Sequence, residues 1–113
     1  MGVERMAVVV ANEREVVLSG RLDVSSASDV RAALHEAIDL GAGDLVVDLA
    51  GVDWVDATGL GVLLGADRRA KQLGRRIVLR DAAPRVRRIL RVTRLHRVLT
   101  LDAPASSTAG LAV

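Results

Sequence analysis

Residues 53–65 combine acidic groups, one hydroxyl and three closely spaced glycines in the stretch DWVDATGLGVLLG. A glycine-rich turn before a helix can hold a phosphate, because the free N–H groups at a helix start bind anions. A hydroxyl at the same place can cap the helix or accept a covalent phosphate. Thr58 is therefore a candidate cap, a candidate phosphate acceptor, or part of a nucleotide-binding loop.

The glycine spacing argues against the nucleotide-binding loop. Gly59, Gly61 and Gly65 follow a predicted strand, and Asp81 stands about twenty residues further on, as in a dinucleotide-binding fingerprint. The spacing, however, is G-x-G-x-x-x-G, one residue too long, and residues 51–58 separate the glycines from a strand predicted to end at residue 50. The chain also contains no Walker sequence. We therefore expect a protein that is not an enzyme and holds no cofactor.

The peptide chemistry at Thr58 leaves two interpretations open. An N-cap hydroxyl accepts a bond from the free N–H groups of the first helical turn. A phosphate on the same hydroxyl is favoured there by those groups and by the positive end of the helix dipole. Gly59 and Gly61, which follow at once, would leave room for an approaching kinase or partner.

Composition excludes other kinds of site. The 113 residues include no cysteine, and Trp54 is the only aromatic residue. His35 and His96 lie far apart without ligand-like spacing, so no metal site is expected. The apolar run near the N-terminus is too short for a signal sequence or a membrane span. We expect a cytoplasmic protein without direct membrane insertion.

Charge is unevenly distributed along the chain. Residues 1–56 carry four basic and eleven acidic side chains, whereas residues 57–113 carry twelve basic and three acidic ones. Basic groups of this kind can neutralise phosphates, but no aromatic residues accompany them to stack on bases, and no helix-turn-helix pattern surrounds them. We interpret them as a solvated face and expect no nucleic-acid partner. The arginines concerned are Arg85, Arg87, Arg88, Arg91, Arg94 and Arg97.

Hydrophobic periodicity predicts the elements that position Thr58. Two β-branched runs, 6–12 and 15–23, predict a hairpin, and the apolar run 44–50 predicts a central parallel strand. Ser26 and Asp29 predict a capping box for a first helix that ends at Gly41. Its buried stripe is predicted to consist of Val30, Ala33, Leu34, Ala37 and Ile38.

The second half of the chain repeats the alternation of helix and strand. Residues 58–74 predict a helix with Leu63, Ala66, Ala70 and Leu73 inward and Gly74 as its stop. A strand at 75–81, a helix opened by Pro84 with Val86, Ile89 and Leu90 inward, and a short edge strand at 96–101 follow. We therefore predict an α/β fold with a mixed four- to five-stranded sheet and helices packed mainly on one face. It forms one domain over 1–113, with a core at about 6–101 and a weakly structured tail at 102–113.

Three segments together resemble the STAS domain of bacterial anti-sigma factor antagonists. Residues 46–79 match the family's strand ending in Asp-Leu and its Asp-Ser-Ser/Thr-Gly-Leu-Gly motif, which here reads DATGLG. Residues 19–34 are similar to its Gly-x-Leu-Asp signature before the first helix, and residues 85–101 to its third helix and last strand. The resemblance covers about residues 6–101, with two motifs in register.

The resemblance implies a switch-like binding module. Such a protein binds an anti-sigma factor that is also an ATP-dependent serine/threonine kinase, and so releases a sigma factor. The kinase phosphorylates the acceptor, here Thr58, which ends the interaction, and a protein phosphatase removes the phosphate. The family also assigns a partner-binding surface to Asp23, Asp56, Ala57, Gly59, Leu60 and Gly61. From the residues alone, Asp23 can equally be a turn residue and Asp56 a cap.

One departure from the family motif concerns the acceptor. The motif usually carries two adjacent hydroxyls, but the first position is Ala57, which leaves Thr58 as the single acceptor. The alternative function keeps the fold: an unphosphorylated STAS regulatory subunit of a membrane transporter ATPase or of a stress-signalling assembly. The missing first hydroxyl favours that alternative.

Overall fold

The computed structural model describes residues 7–102, which form one five-stranded sheet and three α-helices. The sheet order follows the chain, β1-β2-β3-β4-β5. The pair β1–β2 is the predicted antiparallel hairpin, and the three remaining pairs are parallel, so the predicted mixed sheet is confirmed. The elements are β1 Ala7–Asn12, β2 Glu15–Leu22, α1 Ala27–Leu40, β3 Asp44–Val55, α2 Ala57–Gln72, β4 Arg76–Arg80, α3 Pro84–Val92, a 3₁₀ turn Leu95–Arg97 and β5 Thr100–Leu101.

The core lies between one face of the sheet and the helices. Leu45, Val47 and Leu49 of β3 are fully buried and alternate with half-buried residues, because successive side chains of a strand point to opposite faces. Four of the five residues predicted for the α1 stripe are buried, while Ala33 is half-buried. Helices α1 and α2 pack against each other, and α3 contacts β3. Apolar burial across this layer therefore joins strands and helices in one cluster.

The central strand is longer than predicted. β3 continues to Val55 instead of ending at residue 50, because residues 51, 52, 54 and 55 remain register partners of β2, while Asp53 has none. Val52 and Val55 are buried on this extension. Only Asp56 separates the strand from α2, so three residues, 56–58, stand between the strand and Gly59 instead of the eight predicted. Because of this extension, the DATGLG motif begins directly at the carboxyl end of β3.

Helix α2 also ends earlier than its apolar pattern predicts. Leu73 is 53% exposed, not buried, because the helix ends at Gln72 and Gly74, with φ +72°, turns the chain away. Glycine adopts this left-handed conformation without steric cost. The inward residues Leu63, Ala66 and Ala70 are as predicted.

Arg75 is a buried anchor that the sequence patterns do not reveal. Its guanidinium donates to the carbonyls of Ala37 and Ile38 at 2.9 and 2.8 Å, at the C-terminal end of α1. It also donates to the carbonyls of Gly43 and Glu13 at 2.9 and 2.8 Å. One cation therefore satisfies carbonyls that a helix end leaves free and ties α1 to the β1–β2 turn.

Two boundaries predicted from the sequence, the start of β1 and the start of the tail, lie near the ends of the described residues. Asp102 follows β5 and its backbone N–H donates to the carbonyl of Leu79 at 2.7 Å. The rest of the predicted tail, residues 103–113, and the first residue predicted for β1, Met6, lie outside the described residues.

Candidate functional site

Asp56, not Thr58, caps α2. Asp56 has an extended backbone at the N-cap position, and its Oδ1 accepts a hydrogen bond from the Gly59 N–H at 2.9 Å. Thr58 is the second residue of the helix, so its hydroxyl stands past the cap position. The interpretation of Thr58 as the N-cap is therefore wrong, and the local role considered for Asp56 is confirmed.

Thr58 is exposed, and within residues 7–102 its hydroxyl has no hydrogen-bond partner. It lies in the first helical turn, where backbone N–H groups and the helix dipole favour negative charge. An exposed hydroxyl without a structural bond can be modified without breaking a contact of the fold. The site thus offers an accessible acceptor atom at an electrostatically favourable position.

A stability comparison separates the two residues. Asp56→Ala removes the side-chain bond to the Gly59 N–H and is expected to cost about 0.5–2 kcal/mol of unfolding free energy. Thr58→Ala removes no bond and is expected to change it by less than about 0.5 kcal/mol. Urea unfolding measures both, and Asp53→Ala, an exposed aspartate that caps no helix, is the control. A larger cost at Thr58 than at Asp56 would contradict this assignment.

Gly59 is a packing residue. It is buried, and a Cβ at this position would stand 2.4 Å from the Leu22 carbonyl oxygen and 2.7 Å from Leu22 Cγ. The absence of a side chain therefore lets the start of α2 lie directly against the end of β2. Gly61 has nothing within 4 Å of such a Cβ and is exposed. Only Gly61 of this pair leaves open space for an approaching protein.

The predicted partner-binding residues divide by exposure. Ala57 and Gly61 are exposed like Thr58, Asp56 is half-buried, and Gly59 and Leu60 are buried. Gly59 and Leu60 can shape the surface through packing, but they contribute little exposed area to it. Their assignment to a partner surface remains a prediction.

Asp23 begins the turn after β2. Its Oδ1 accepts bonds from the Ser25 hydroxyl at 2.6 Å and the Ser25 N–H at 3.0 Å. The Ser25 hydroxyl bond is the main reason that the pKa of Asp23 lies below its ordinary value, with help from backbone N–H groups and Arg21. Asp23 is therefore ionised at neutral pH, and its side chain is half-buried at the turn.

The capping box predicted from Ser26 and Asp29 does not form. Ser26 occupies the N-cap position, but its hydroxyl donates to the Arg21 carbonyl at 2.8 Å and accepts from the Asp23 N–H at 3.1 Å. The hydroxyl is engaged by the turn before the helix and is unavailable to the helix itself. Ser26 thus fixes the Asp23 turn.

Strand pairing brings the Asp23 turn beside the start of α2. Leu22 and Val55 are register partners in β2 and β3, and the Asp56 N–H donates to the Leu22 carbonyl at 3.2 Å. Asp23 and Asp56 each follow one of these partners, so both carboxylates lie at the carboxyl end of the parallel strands. This end of the sheet is where α/β folds place binding sites.

Trp54 borders the site on the other side. Its half-buried ring has the Arg21 guanidinium carbon 5.7 Å from its centroid, within cation–π range. The ring also lines one groove with Ile89 and Val92 of α3 and with Thr93, which follows that helix. Trp54 is therefore packed at a rim and is still reachable from solvent.

A second polar cluster lies on the sheet away from the motif. Arg80 donates to Asp48 at 2.8 Å and also binds Glu15, across three neighbouring strands. Partial burial opposes ionisation of Asp48, but its bonds to Arg80 and to the Ala50 N–H outweigh this and lower its pKa. This cluster links three strands. Its residues are far apart in the sequence, so no sequence motif reveals it.

Among residues 7–102, no group of three or more His, Cys, Asp or Glu side chains could hold a metal ion. In the same range no helix has the length and hydrophobicity needed to cross a bilayer.

Comparison with known proteins gives a consistent family. A family described as "Mlab, STAS domain" matches residues 8–101. The anti-sigma-B factor antagonist of Bacillus subtilis (strain 168) is 33% identical over 92 residues, which cover 81% of this chain and 84% of that protein. The anti-sigma F factor antagonist of Paenibacillus polymyxa is 32% identical over 87 residues, covering 76% and 74%. Unphosphorylated SpoIIAA, an anti-sigma factor antagonist, has the same fold, with a TM-score of 0.65, 19% identity and coverage of 93% and 94%.

Proposed function

The chain belongs to the STAS domain family, and we propose that it is an anti-sigma factor antagonist switched by phosphorylation of Thr58. In this role it binds an anti-sigma factor that is also a serine/threonine kinase, and a sigma factor is released. The kinase transfers the γ-phosphoryl of ATP to the Thr58 hydroxyl, the antagonist dissociates, and a protein phosphatase resets it. The names of its curated relatives support the general role.

One observation carries the proposal: Thr58 presents a free, exposed hydroxyl at the start of α2, because Asp56 already caps the helix. A threonine that capped the helix would lose that bond on modification. Here the phosphate replaces no contact of the described residues. The fold is therefore expected to persist in both states, as a reversible switch requires.

The charges around Thr58 supply the change in affinity. A phosphothreonine adds about −1.5 to −2 charge at pH 7. Asp56 stands two residues before it, and Asp23 lies at the same end of the sheet. The modified surface is thus strongly acidic, while the N–H groups at the helix N-terminus can still donate to the phosphate oxygens. The partner loses complementarity through charge repulsion and added bulk, without unfolding of the antagonist.

The catalytic parts of this cycle belong to the partners. Thr58 is the phosphoryl acceptor, and nothing in the chain has to bind ATP. The phosphatase, likewise, brings its own chemistry. The chain contributes the acceptor and the surface around it, including Asp23, Ala57 and Gly61, and we propose that it acts in the cytoplasm and has no catalytic activity of its own.

Intact-mass measurement tests the acceptor. Wild type and Thr58→Ala are incubated with the cognate anti-sigma factor kinase, ATP and Mg²⁺. We expect one phosphate on the wild type and none on Thr58→Ala. Thr93→Ala, which removes a hydroxyl bound to the Ile89 carbonyl, is the matched control and is expected to accept phosphate like the wild type.

The same experiment separates the switch from the transporter-subunit alternative. A phosphate added equally to wild type and Thr58→Ala places the acceptor elsewhere and contradicts the proposal. Absence of phosphate on the wild type, with the kinase active on another antagonist, favours an unphosphorylated STAS subunit.

A further inference from the structure

The outer side of α3 and Trp54 together line a groove of about 340 Å³. Arg85, Arg88, Ile89 and Val92 recur at the spacing of one helical face, next to the buried Val86 and Leu90. The helix therefore presents two faces, one packed into the core and one toward this groove. The sequence pattern alone had shown only a solvated arginine face.

The floor of the groove is apolar and uncovered by the described residues. Val92 is 74% exposed, Ile89 packs only partly against the core, and the Trp54 ring lies beside them. Aromatic and arginine side chains around an apolar centre are the composition typical of binding hot spots. Exposure of this kind is unfavourable in isolation and is relieved by an apolar partner surface.

The rim of the groove is strongly basic. Arg85 and Arg88 line the groove, and Arg87 and Arg91 lie beside it on the same helix. Within residues 7–102 none of these four arginines forms an ion pair, because the ion pairs there involve other cations. No acidic residue occurs between Asp81 and Asp102. The positive charge is therefore not neutralised locally, and the residues 103–113 that follow carry no charged side chain that could neutralise it.

We propose that this groove is a second docking surface, which binds an acidic amphipathic helix of a protein partner. The apolar side of such a helix fills the space between Trp54 and Val92, and its carboxylates meet the arginines of the rim. An apolar floor favours this occupant over nucleic acid, for which Trp54 would be the only stacking platform. The inference is independent of phosphorylation at Thr58.

The position of the groove suggests how it adds to partner recognition. Trp54 is two residues before Asp56, on the strand that delivers α2. The groove therefore has one lining residue close in sequence to the carboxyl end of the sheet, and we infer that a partner at Thr58 can extend a helix along α3. Contact at two places raises affinity through effective concentration without changing either site.

Trp54 provides a built-in reporter, because it is the only aromatic residue of the chain. The probe is a synthetic peptide of about 15 residues, or four helical turns, with leucines at i, i+3, i+4 and i+7 and glutamates elsewhere. A peptide of the same composition in scrambled order is its control. We expect a blue shift of Trp54 emission with the amphipathic peptide only, and weaker binding at high salt.

Matched variants test the surface. Arg88→Glu and Val92→Glu are each expected to weaken peptide binding by about tenfold or more. Arg31→Glu, an exposed arginine of α1, and Leu40→Glu are the controls, expected to bind within about twofold of wild type. Leu40 ends α1 as Val92 ends α3, and it is similarly exposed, at 68%.

Four results would overturn the proposal. These are no emission change up to about 1 mM peptide, equal binding of the scrambled peptide, equal weakening in the control variants, or a response to duplex DNA but not to the peptide. Acrylamide quenching of Trp54 fluorescence tests whether something other than a partner helix occupies the groove. Shielding of Trp54 in dilute free protein would show that the chain covers its own groove, and shielding that grows with protein concentration would indicate a second copy.

Discussion

Gly59→Ala is expected to destabilise the protein by about 3 kcal/mol, the upper part of the range for overpacked cores. The added Cβ would stand 2.4 Å from the Leu22 carbonyl oxygen. That atom belongs to a paired strand, so rotation of a side chain cannot relieve the overlap. The start of α2 has to move away from β2, and the gain in helix propensity from glycine to alanine, about 1 kcal/mol, is too small to compensate.

Gly65→Ala is the matched control, and its effect has the opposite sign. Gly65 lies in the same helix, and a Cβ there meets nothing within 4 Å. Its replacement is expected to stabilise the protein by about 0.5–1 kcal/mol through helix propensity. Thermal and urea unfolding measure both variants. Equal effects at the two positions would contradict the assignment of Gly59 to close packing.

The same contact matters for the site. Leu22 is followed by Asp23, and Gly59 follows Thr58, so the Leu22–Gly59 contact links the two segments that carry the proposed partner surface. A displaced helix start would move Thr58 relative to Asp23. Gly59→Ala is therefore expected to impair partner binding as well as stability, whereas Gly65→Ala is expected to affect stability alone.

Periodicity predicted the parts of the fold that depend on burial. The stripe with Val30, Leu34 and Ile38 and the run Leu45–Leu49 are apolar because they face one core, and that constraint is written in their spacing. The end of β3 was missed because Gly51 and Asp53 interrupt the apolar pattern. Strand pairing depends on the backbone: it includes Gly51, skips Asp53 at a register shift and resumes through Trp54 to Val55.

The sequence predicts the segment that carries the candidate site but not the hydrogen bonds within it. Hydroxyls before a helix commonly cap it, so the sequence predicts Ser26 as the cap of α1 and leaves Thr58 as one candidate cap of α2. Which nearby oxygen takes the helix N–H depends on backbone geometry, and here the Ser26 hydroxyl bonds to its own turn while Asp56 caps α2. Arg75 was missed for a similar reason: its four carbonyl partners are distant in sequence and meet only in the fold.

Phosphorylation of Thr58 is expected to weaken binding to the anti-sigma factor by about 100-fold or more, equivalent to about 2.7 kcal/mol. The added dianion joins Asp23 and Asp56 at one end of the sheet, and a surface complementary to the unmodified hydroxyl cannot accept it without desolvating charge. Calorimetric titration of both forms, with the partner in one nucleotide state, measures the difference. Repeating it at high salt separates repulsion, which is screened, from bulk, which is not.

Three variants of Thr58 separate charge from shape in that measurement. Thr58→Ala is expected to bind like the unmodified protein, because the Thr58 hydroxyl makes no bond within the described residues. Thr58→Glu carries less charge than a phosphate and is expected to weaken binding only partly, by about tenfold. The Gln side chain of Thr58→Gln has nearly the same shape as Glu but no charge. A difference in affinity between the Glu and Gln variants therefore measures the electrostatic contribution. If the phosphorylated protein and all three variants bound with one affinity, Thr58 would not be the switch, and the STAS domain would engage its partner through another surface.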